Sequence, residues 1–374
     1  MALSPPRRAI RPIGIRLILM HSETSVVDRI QYLLARGLAR LPPRVHLGLC
    51  GAPAVEIDGE TLDPMVQLVS ALRLRRGVPG LVEPTYAAGR ARYRRDTLAY
   101  CGPRTAVGTV LDFEIPGPFG RLRVRHYAPL AGGRQPLLVY FHGGGFVLGD
   151  LDTHDEPCRM LCHHADTHVL SVEYRLAPEN PFPSGVEDAR AALAWALANA
   201  EALGADPGRV GAGGDSAGGN LAAVATWLAA SDGAPPAAQL LIYPPTDSVN
   251  VRASHALFGA GFFLTRRDRA AFGAHYAGSS GIRGDDPRLS PLLAPNLDKL
   301  PPTLVVTAAF DLLRDEGEAY AVALERAGVT VRAQRVRGLG HGFLHMTGVV
   351  PAARRAFIDV AHSWRSLLDD VGSR

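Results

Sequence analysis

Apolar positions recur along this chain with two periods, and each predicts a different element. Between residues 26 and 41, Val26, Ile30, Leu33, Leu34, Leu38 and Leu41 fall at three- and four-residue steps with arginines between them. That spacing predicts an amphipathic helix, ended by Pro42-Pro43. Its stripe is expected to pack on the main domain; the alternative, a weak peripheral contact with a membrane surface, has only Tyr32 as an interfacial aromatic. Residues 64 to 76 predict a second helix, opened by an early proline and stopped before Gly77.

After residue 105 the texture changes. Segments 110–115 and 122–127 read as two strands around Pro116-Gly117. Short, continuously apolar runs follow at 137–141, 168–174, 209–213, 239–243, 304–310 and 329–336, separated by helical patterns at 185–203, 217–230 and 316–327. A strand buried on both faces reads as continuously apolar, and a parallel crossover needs a helix. The alternation therefore predicts an α/β fold with a mostly parallel, doubly wound sheet flanked by helices. Residues 252 to 280 interrupt it with Phe258, Phe262, Phe263, Phe272 and Tyr276, a set suited to core or to a lid and acyl-pocket wall.

Composition narrows the classes. Among 374 residues, 47% are apolar and 20% charged, as in an ordinary globular protein. The first hundred residues hold 15 Arg against 8 acids, yet Lys299 is the one lysine of the chain, so the arginines read as compositional bias. No nucleic-acid footprint is expected. Cys50, Cys101, Cys158 and Cys162 make no disulfide framework and complete no zinc site; buried thiols are expected. The run Leu17-Ile18-Leu19-Met20 is too short for a leader or a transmembrane span, which makes a cytoplasmic location the default expectation.

The sharpest chemical signal is Gly214-Asp215-Ser216-Ala217-Gly218, between a strand-like run and an alanine-rich helix. A strand that turns abruptly into a helix pushes its central residue out above the sheet, and small neighbours are needed to let it turn. Ser216 is the expected nucleophile. His142-Gly143-Gly144-Gly145-Phe146 follows another strand, and three glycines expose backbone N–H groups. We assign the N–H groups of Gly143, Gly144 and Ala217 to the developing oxyanion, with His142 anchoring the loop and Asp215 bracing the turn.

A serine hydroxyl needs a base. Asp311, at the end of the 304–310 run, and His341, after the last strand, follow Ser216 in the order this arrangement requires. His341 is the expected base and then acid; Asp311 fixes its tautomer, with Asp315 and Glu316 as nearby competitors. His154, His163, His164 and His168 form no close ligand set in sequence, and no phosphate-binding glycine pattern is complete, so neither metal nor cofactor is expected.

Taken together, His142-Gly143-Gly144-Gly145-Phe146, Tyr174-Arg175-Leu176-Ala177-Pro178-Glu179, Phe182-Pro183, Gly214-Asp215-Ser216-Ala217-Gly218-Gly219-Asn220, Asp311-Leu312-Leu313-Arg314-Asp315 and Gly340-His341-Gly342-Phe343 resemble the hormone-sensitive lipase family of α/β-hydrolases, in its bacterial carboxylesterase branch. The resemblance covers about residues 62 to 370. It implies an α/β-hydrolase catalytic domain over 106–374, cap helices in 61–105, a cap insertion near 252–280, and an N-terminal extension, 1–60, that joins the cap. It further implies hydrolysis of short- to medium-chain esters and, in many members, a homodimer. We expect Phe146, Phe262, Phe263 and Phe343 to line the acyl pocket. Amide hydrolysis, acyl transfer and a non-catalytic binding role are the alternatives on the same scaffold.

Overall fold

The computed structural model describes residues 26–372 except 79 and 279, with side chains from residue 33. The apolar run at 17–20 lies outside the described residues. Among the described residues there are ten strands: β1 (Glu56–Ile57), β2 (Glu60–Thr61), β3 (Thr109–Gly117), β4 (Gly120–Ala128), β5 (Gln135–Phe141), β6 (His168–Val172), β7 (Ala205–Asp215), β8 (Ala238–Ile242), β9 (Thr303–Phe310) and β10 (Val331–Gly340). β1 and β2 form a small hairpin; the others make one sheet in the order β10-β9-β8-β7-β5-β6-β4-β3. β3 pairs antiparallel with β4 and β4 with β6, whereas β6, β5, β7, β8, β9 and β10 run parallel. The carboxyl ends of β5, β7, β9 and β10 therefore open on one edge of the sheet, where α/β proteins bind ligands.

Five helices belong to this layer structure: α5 (Asp155–His164), α6 (Ser184–Asn199), α7 (Ala217–Ser231), α10 (Arg314–Arg326) and α11 (Pro351–Gly372). The strands are buried on both faces because helices cover them. α11, not anticipated from the sequence, buries Phe357, Val360, Trp364, Leu367 and Leu368. Each such side chain stabilises the fold by about 1.5–3 kcal/mol. β7 accepts the Trp364 indole because Gly211 faces it; a Cβ there would stand 2.5 Å from the ring.

The N-terminal part forms α1 (Val26–Ala39), α2 (Pro43–Cys50), α3 (Pro64–Arg75) and α4 (Tyr86–Cys101). Pro42-Pro43 ends the first helix as expected, but Pro43 then opens another, since a proline at the first helical turn loses no hydrogen bond. The apolar stripe of α1 needs correcting. Ala35, Leu38 and Ala39 meet the core, while Leu33 and Leu34 are 63% and 65% exposed. The packed face centres on Ala35, Leu38 and Ala39; at about 100° per residue it leaves Leu34 at its edge and Leu33 on the far side.

The 252–280 insertion contains α8 (Ala253–Leu257) and α9 (Arg266–Tyr276). A capping box between Thr265 and Asp268 starts α9. Asp268 also accepts the N–H groups of Leu81 and Val82, each at 2.8 Å, and so ties the insertion to the N-terminal helices. All four cysteines are free and buried, and burial pushes the Cys162 thiol up to about 12. Among the described residues, no helix is long and apolar enough to cross a membrane.

Candidate active site

β7 ends in the sharp turn that the glycine spacing predicted. Ser216 adopts φ 51° and ψ −122°, a conformation that L residues rarely hold, and α7 begins at the next residue. Its N–H donates to Ile242 O at 2.8 Å, so β8 holds the turn in place. Close approach explains the glycines: a Cβ at Gly214 would lie 2.4 Å from Phe141 O, and one at Gly218 only 1.8 Å from the same oxygen. Any larger residue would drive β5 and α7 apart.

Ser216 Oγ stands 2.9 Å from His341 Nε2, and His341 Nδ1 lies 2.7 Å from Asp311 Oδ2. The other oxygen of Asp311 accepts the Leu313 N–H at 2.9 Å, which fixes the carboxylate at the end of β9. Asp311 is fully buried, while His341 and Ser216 keep 8% and 9% exposure at the floor of a cavity. Tyr243 supports the imidazole from one side, with ring centroids 4.6 Å apart. The competitors for the orienting role are engaged elsewhere: Asp315 accepts the Ser254 N–H, and Glu316 accepts the Thr246 N–H and faces His255 Nε2 at 3.0 Å.

The glycine loop after β5 brings a correction. The N–H of Gly143 donates to Asp215 Oδ1 at 2.9 Å, into the protein interior, so it is not available to a bound oxygen. Gly144 and Gly145 line the cavity instead, with φ of 119° and 62°, and their N–H groups have no acceptor among the described residues. Ala217 N–H, at the first position of α7, has no intrahelical acceptor either. Gly145, at the cavity, was not among the donors assigned from sequence; positive φ is open to any of the three glycines, so the run itself carried no signal to choose between them.

Side chains hold this loop from behind. His142 is fully buried, with Nδ1 2.8 Å from Gly143 O, and its carbonyl accepts the Tyr174 hydroxyl at 2.7 Å. Burial, then the neighbouring His154, lowers the His142 imidazole to about 4. Asp215 accepts from Tyr140 Oη at 2.7 Å as well as from Gly143, and His154 Nε2 lies 3.2 Å away. Burial would raise its carboxyl, but the charge of and hydrogen bond to His154, then His345 and the Tyr140 hydrogen bond, outweigh it and hold the group well below the carboxylate range.

His154, Asp215 and His345 bring ligand atoms within 4.8 Å of one another, a cluster that sequence spacing did not reveal. Their polar atoms are already spoken for. His345 Nε2 meets Tyr93 Oη at 2.9 Å, and His154 meets Asp215 and Thr153. The Gly143 N–H also donates to His154 Nε2 at 3.3 Å, so contacts within the protein occupy the set a metal would need.

The cavity holds about 680 Å³. Phe146 and Phe263 line it as expected, joined by Phe272, Tyr276 and Met346. Phe262 and Phe343 do not. Phe262 packs on Phe258 and Phe310 at 5.5 and 5.7 Å, and Phe343 is 1% exposed, edge-on to Tyr243. Phe343 is buried in the core and Phe262 is half-buried against it, each packed on other aromatic rings. Phe146 stacks on Tyr276 with centroids 3.8 Å apart, coupling the glycine loop to α9.

Comparison with known proteins matches this geometry. The α/β hydrolase fold family matches residues 138–345. The carboxylic ester hydrolase LipN of Mycobacterium tuberculosis is 50% identical over 305 residues, covering 80% of this chain and 81% of that protein. The ethyl acetate hydrolase of Pseudomonas putida is 36% identical over 311 residues, covering 80% and 95%. Among solved structures, an esterase of Pyrobaculum calidifontis superposes with a TM-score of 0.75 at 36% identity, over 82% of this chain and 99% of that one. With a serine at a nucleophile turn, a buried Asp–His pair beside it and relatives of this kind across most of its length, the chain belongs to the α/β-hydrolase-fold family, as a relative of the bacterial carboxylesterases.

Proposed function

We propose that this chain hydrolyses carboxylic esters through a covalent acyl-enzyme, with Ser216 as nucleophile, His341 as base and then acid, and Asp311 as the partner that stabilises the imidazolium. The observation that carries the reading is the 2.9 Å approach of Ser216 Oγ to His341 Nε2 on the floor of an apolar cavity. The imidazole takes the hydroxyl proton as Ser216 adds to the carbonyl, and gives it to the departing alcohol. The carbonyl oxygen, now negative, meets the N–H groups of Gly144, Gly145 and Ala217, which bind it more strongly than the uncharged ground state. A water activated by the same imidazole then releases the acid.

Within the α/β-hydrolases, the motifs around the glycine loop and Ser216 favour the hormone-sensitive lipase branch. The N-terminal helices and the 252–280 insertion act as its cap, a reading supported by the Asp268 bridge between them. Phe146, Phe263, Phe272 and Tyr276 suit acyl chains of short to medium length.

Turnover of p-nitrophenyl esters from acetate to palmitate, by wild type and Ser216→Ala, tests both parts. Ser216→Ala should lose about four orders of magnitude or more while melting as wild type does. A folded Ser216→Ala protein of ordinary activity would end the nucleophile assignment, and a palmitate optimum would end the chain-length one.

A further inference from the structure

Charge is segregated along the N-terminal helices. Two stretches, 29–55 and 64–82, hold seven arginines and no acid. The acids between them, Glu56, Asp58, Glu60 and Asp63, stand at the β1–β2 hairpin and the start of α3. There Asp58 pairs with Arg314 at 2.8 Å, Glu60 pairs with Arg337 at 3.1 Å, and Asp63 caps α3 by accepting the Met65 N–H at 2.8 Å. Asp96 of α4 pairs with Arg73 at 3.0 Å. From residue 33 onward, the charge left on α1, α2 and α3 is positive.

Apolar side chains share these helices with the arginines. Leu33, Leu34, Leu41, Leu49 and Leu74 are 39–65% exposed, and Arg40, Arg44, Arg75 and Arg76 are exposed as well. On α1, at about 100° per residue, Arg36 and Arg40 fall within about 60° of Leu33, on the side away from the packed face. His46 Nε2 meets Leu38 O at 2.8 Å and joins α2 to α1. Arg75 donates to Leu49 O and Cys50 O at 3.1 and 2.7 Å and joins α3 to α2; both acceptors are carbonyls, so its charge is not cancelled.

We propose that this face of α1, α2 and α3 docks on an anionic lipid bilayer, its leucines entering the acyl boundary and its arginines meeting the headgroups. Exposed leucine beside unopposed arginine is what selects this partner. A second copy of the chain would bring the same positive face against itself, with no acid to meet it. A nucleic acid would set the leucines against phosphate. The face also has a place in the reaction, since α1 packs on α4 and α2 on α3, and Arg73 of α3 lines the cavity with Tyr93 and Asp96 of α4. Docking holds the cap beside a store of apolar esters.

Co-sedimentation of the full chain with vesicles tests this, and it reads binding without turnover, so the Ser216 assignment does not enter. Vesicles of phosphatidylcholine with about 30 mol% phosphatidylglycerol should bind at least about tenfold more tightly than phosphatidylcholine alone, and raising the salt from about 0.1 to about 0.5 M should remove most of that difference. Each arginine at such a surface is worth about fivefold, so Arg40→Gln/Arg44→Gln should weaken binding about tenfold or more. Leu33→Ser/Leu34→Ser should weaken it at least about fivefold, and both variants should melt and turn over p-nitrophenyl acetate as wild type does. Absent binding, equal binding to both kinds of vesicle, or a leucine variant that binds as wild type would overturn the proposal. So would a dimer, seen by light scattering, that binds no vesicle and that Leu33→Ser/Leu34→Ser dissociates, since the face would then belong to a second copy.

Discussion

Two Asp–His pairs lie within one residue's reach of the same serine, built from the same side chains and used differently. Asp311 and His341 meet at 2.7 Å, and the second imidazole nitrogen is left to face Ser216 Oγ at the cavity floor. Asp215 and His154 meet at 3.2 Å, and the second nitrogen is taken by Thr153. The difference teaches that an Asp–His contact is not itself a catalytic unit. What matters is whether the imidazole retains a nitrogen with a reactive partner and room to exchange a proton. His341, with 8% of its surface exposed, has both; His154, fully buried, has neither and can serve only by holding its neighbours.

The comparison can be broken most severely at His341. His341→Ala should lower ester turnover by about four orders of magnitude or more, measured as kcat with p-nitrophenyl acetate, because Ser216 loses its one base. Asp311→Asn should cost nearly as much, about 10³- to 10⁴-fold, by favouring the wrong imidazole tautomer. If either folded variant worked at close to the wild-type rate, the cavity-facing pair would lose its distinction from the sealed one.

The glycine loop gives the next effect. Gly145→Ala places a methyl 2.3 Å from the Phe272 ring at a backbone φ of 62°, so a cavity-facing donor must move. We expect kcat to fall about 10²- to 10³-fold with KM changed much less. Gly143→Ala acts from the sealed side, since its methyl would meet Asp215 Oδ2 at 2.3 Å. A loss similar to that of Gly145→Ala would place both pairs in control of one loop, and no loss would separate them.

The smallest effect is on stability. His142 and His345 flank the sealed pair, and their imidazoles are held at about 4 and about 3, below the ordinary 6.5, chiefly by burial. Between about pH 6.5 and 4 the unfolded chain binds these protons and the folded chain does not. Stability is therefore fully present above about pH 6.5 and falls as acid is added, by up to about 1.4 kcal/mol per pH unit for each such proton. Thermal melts across this window check the sign, and a melting temperature that rose on acidification would contradict it.

Much of the fold was legible because strands buried on both faces must be apolar throughout: 137–141, 239–243 and 304–310 each fall on a strand of the sheet, within two residues at the ends. Only the family resemblance placed cap helices in 61–105; α4 itself gave no periodic signal because its sequence is polar and arginine-rich, and its packing comes from contacts such as Tyr93 on His345 and Arg90 on Val147 O. The three glycines after β5 were legible as a donor loop, but not which of them faced the cavity. That choice is made by Asp215, 72 residues away, which captures the first N–H of the run. The aromatic residues followed the same rule, since Phe262 and Phe343 are chemically fit for a pocket wall and are packed on other aromatic rings by their neighbours.

The amino-acid sequence by itself determined the α/β alternation, the turn at Ser216 and the order of the serine, aspartate and histidine. These follow from local physics: apolar periodicity, the steric tolerance of glycine, and strand ends that open toward one edge. Only the tertiary structure decided which glycine N–H groups face the cavity, which leucines of α1 stay outside, and how Tyr140, His154, Asp215 and His345 gather behind the loop. Those outcomes depend on contacts between segments far apart in the chain, and hydrogen-bond partners and buried charge are assigned only once such segments have packed.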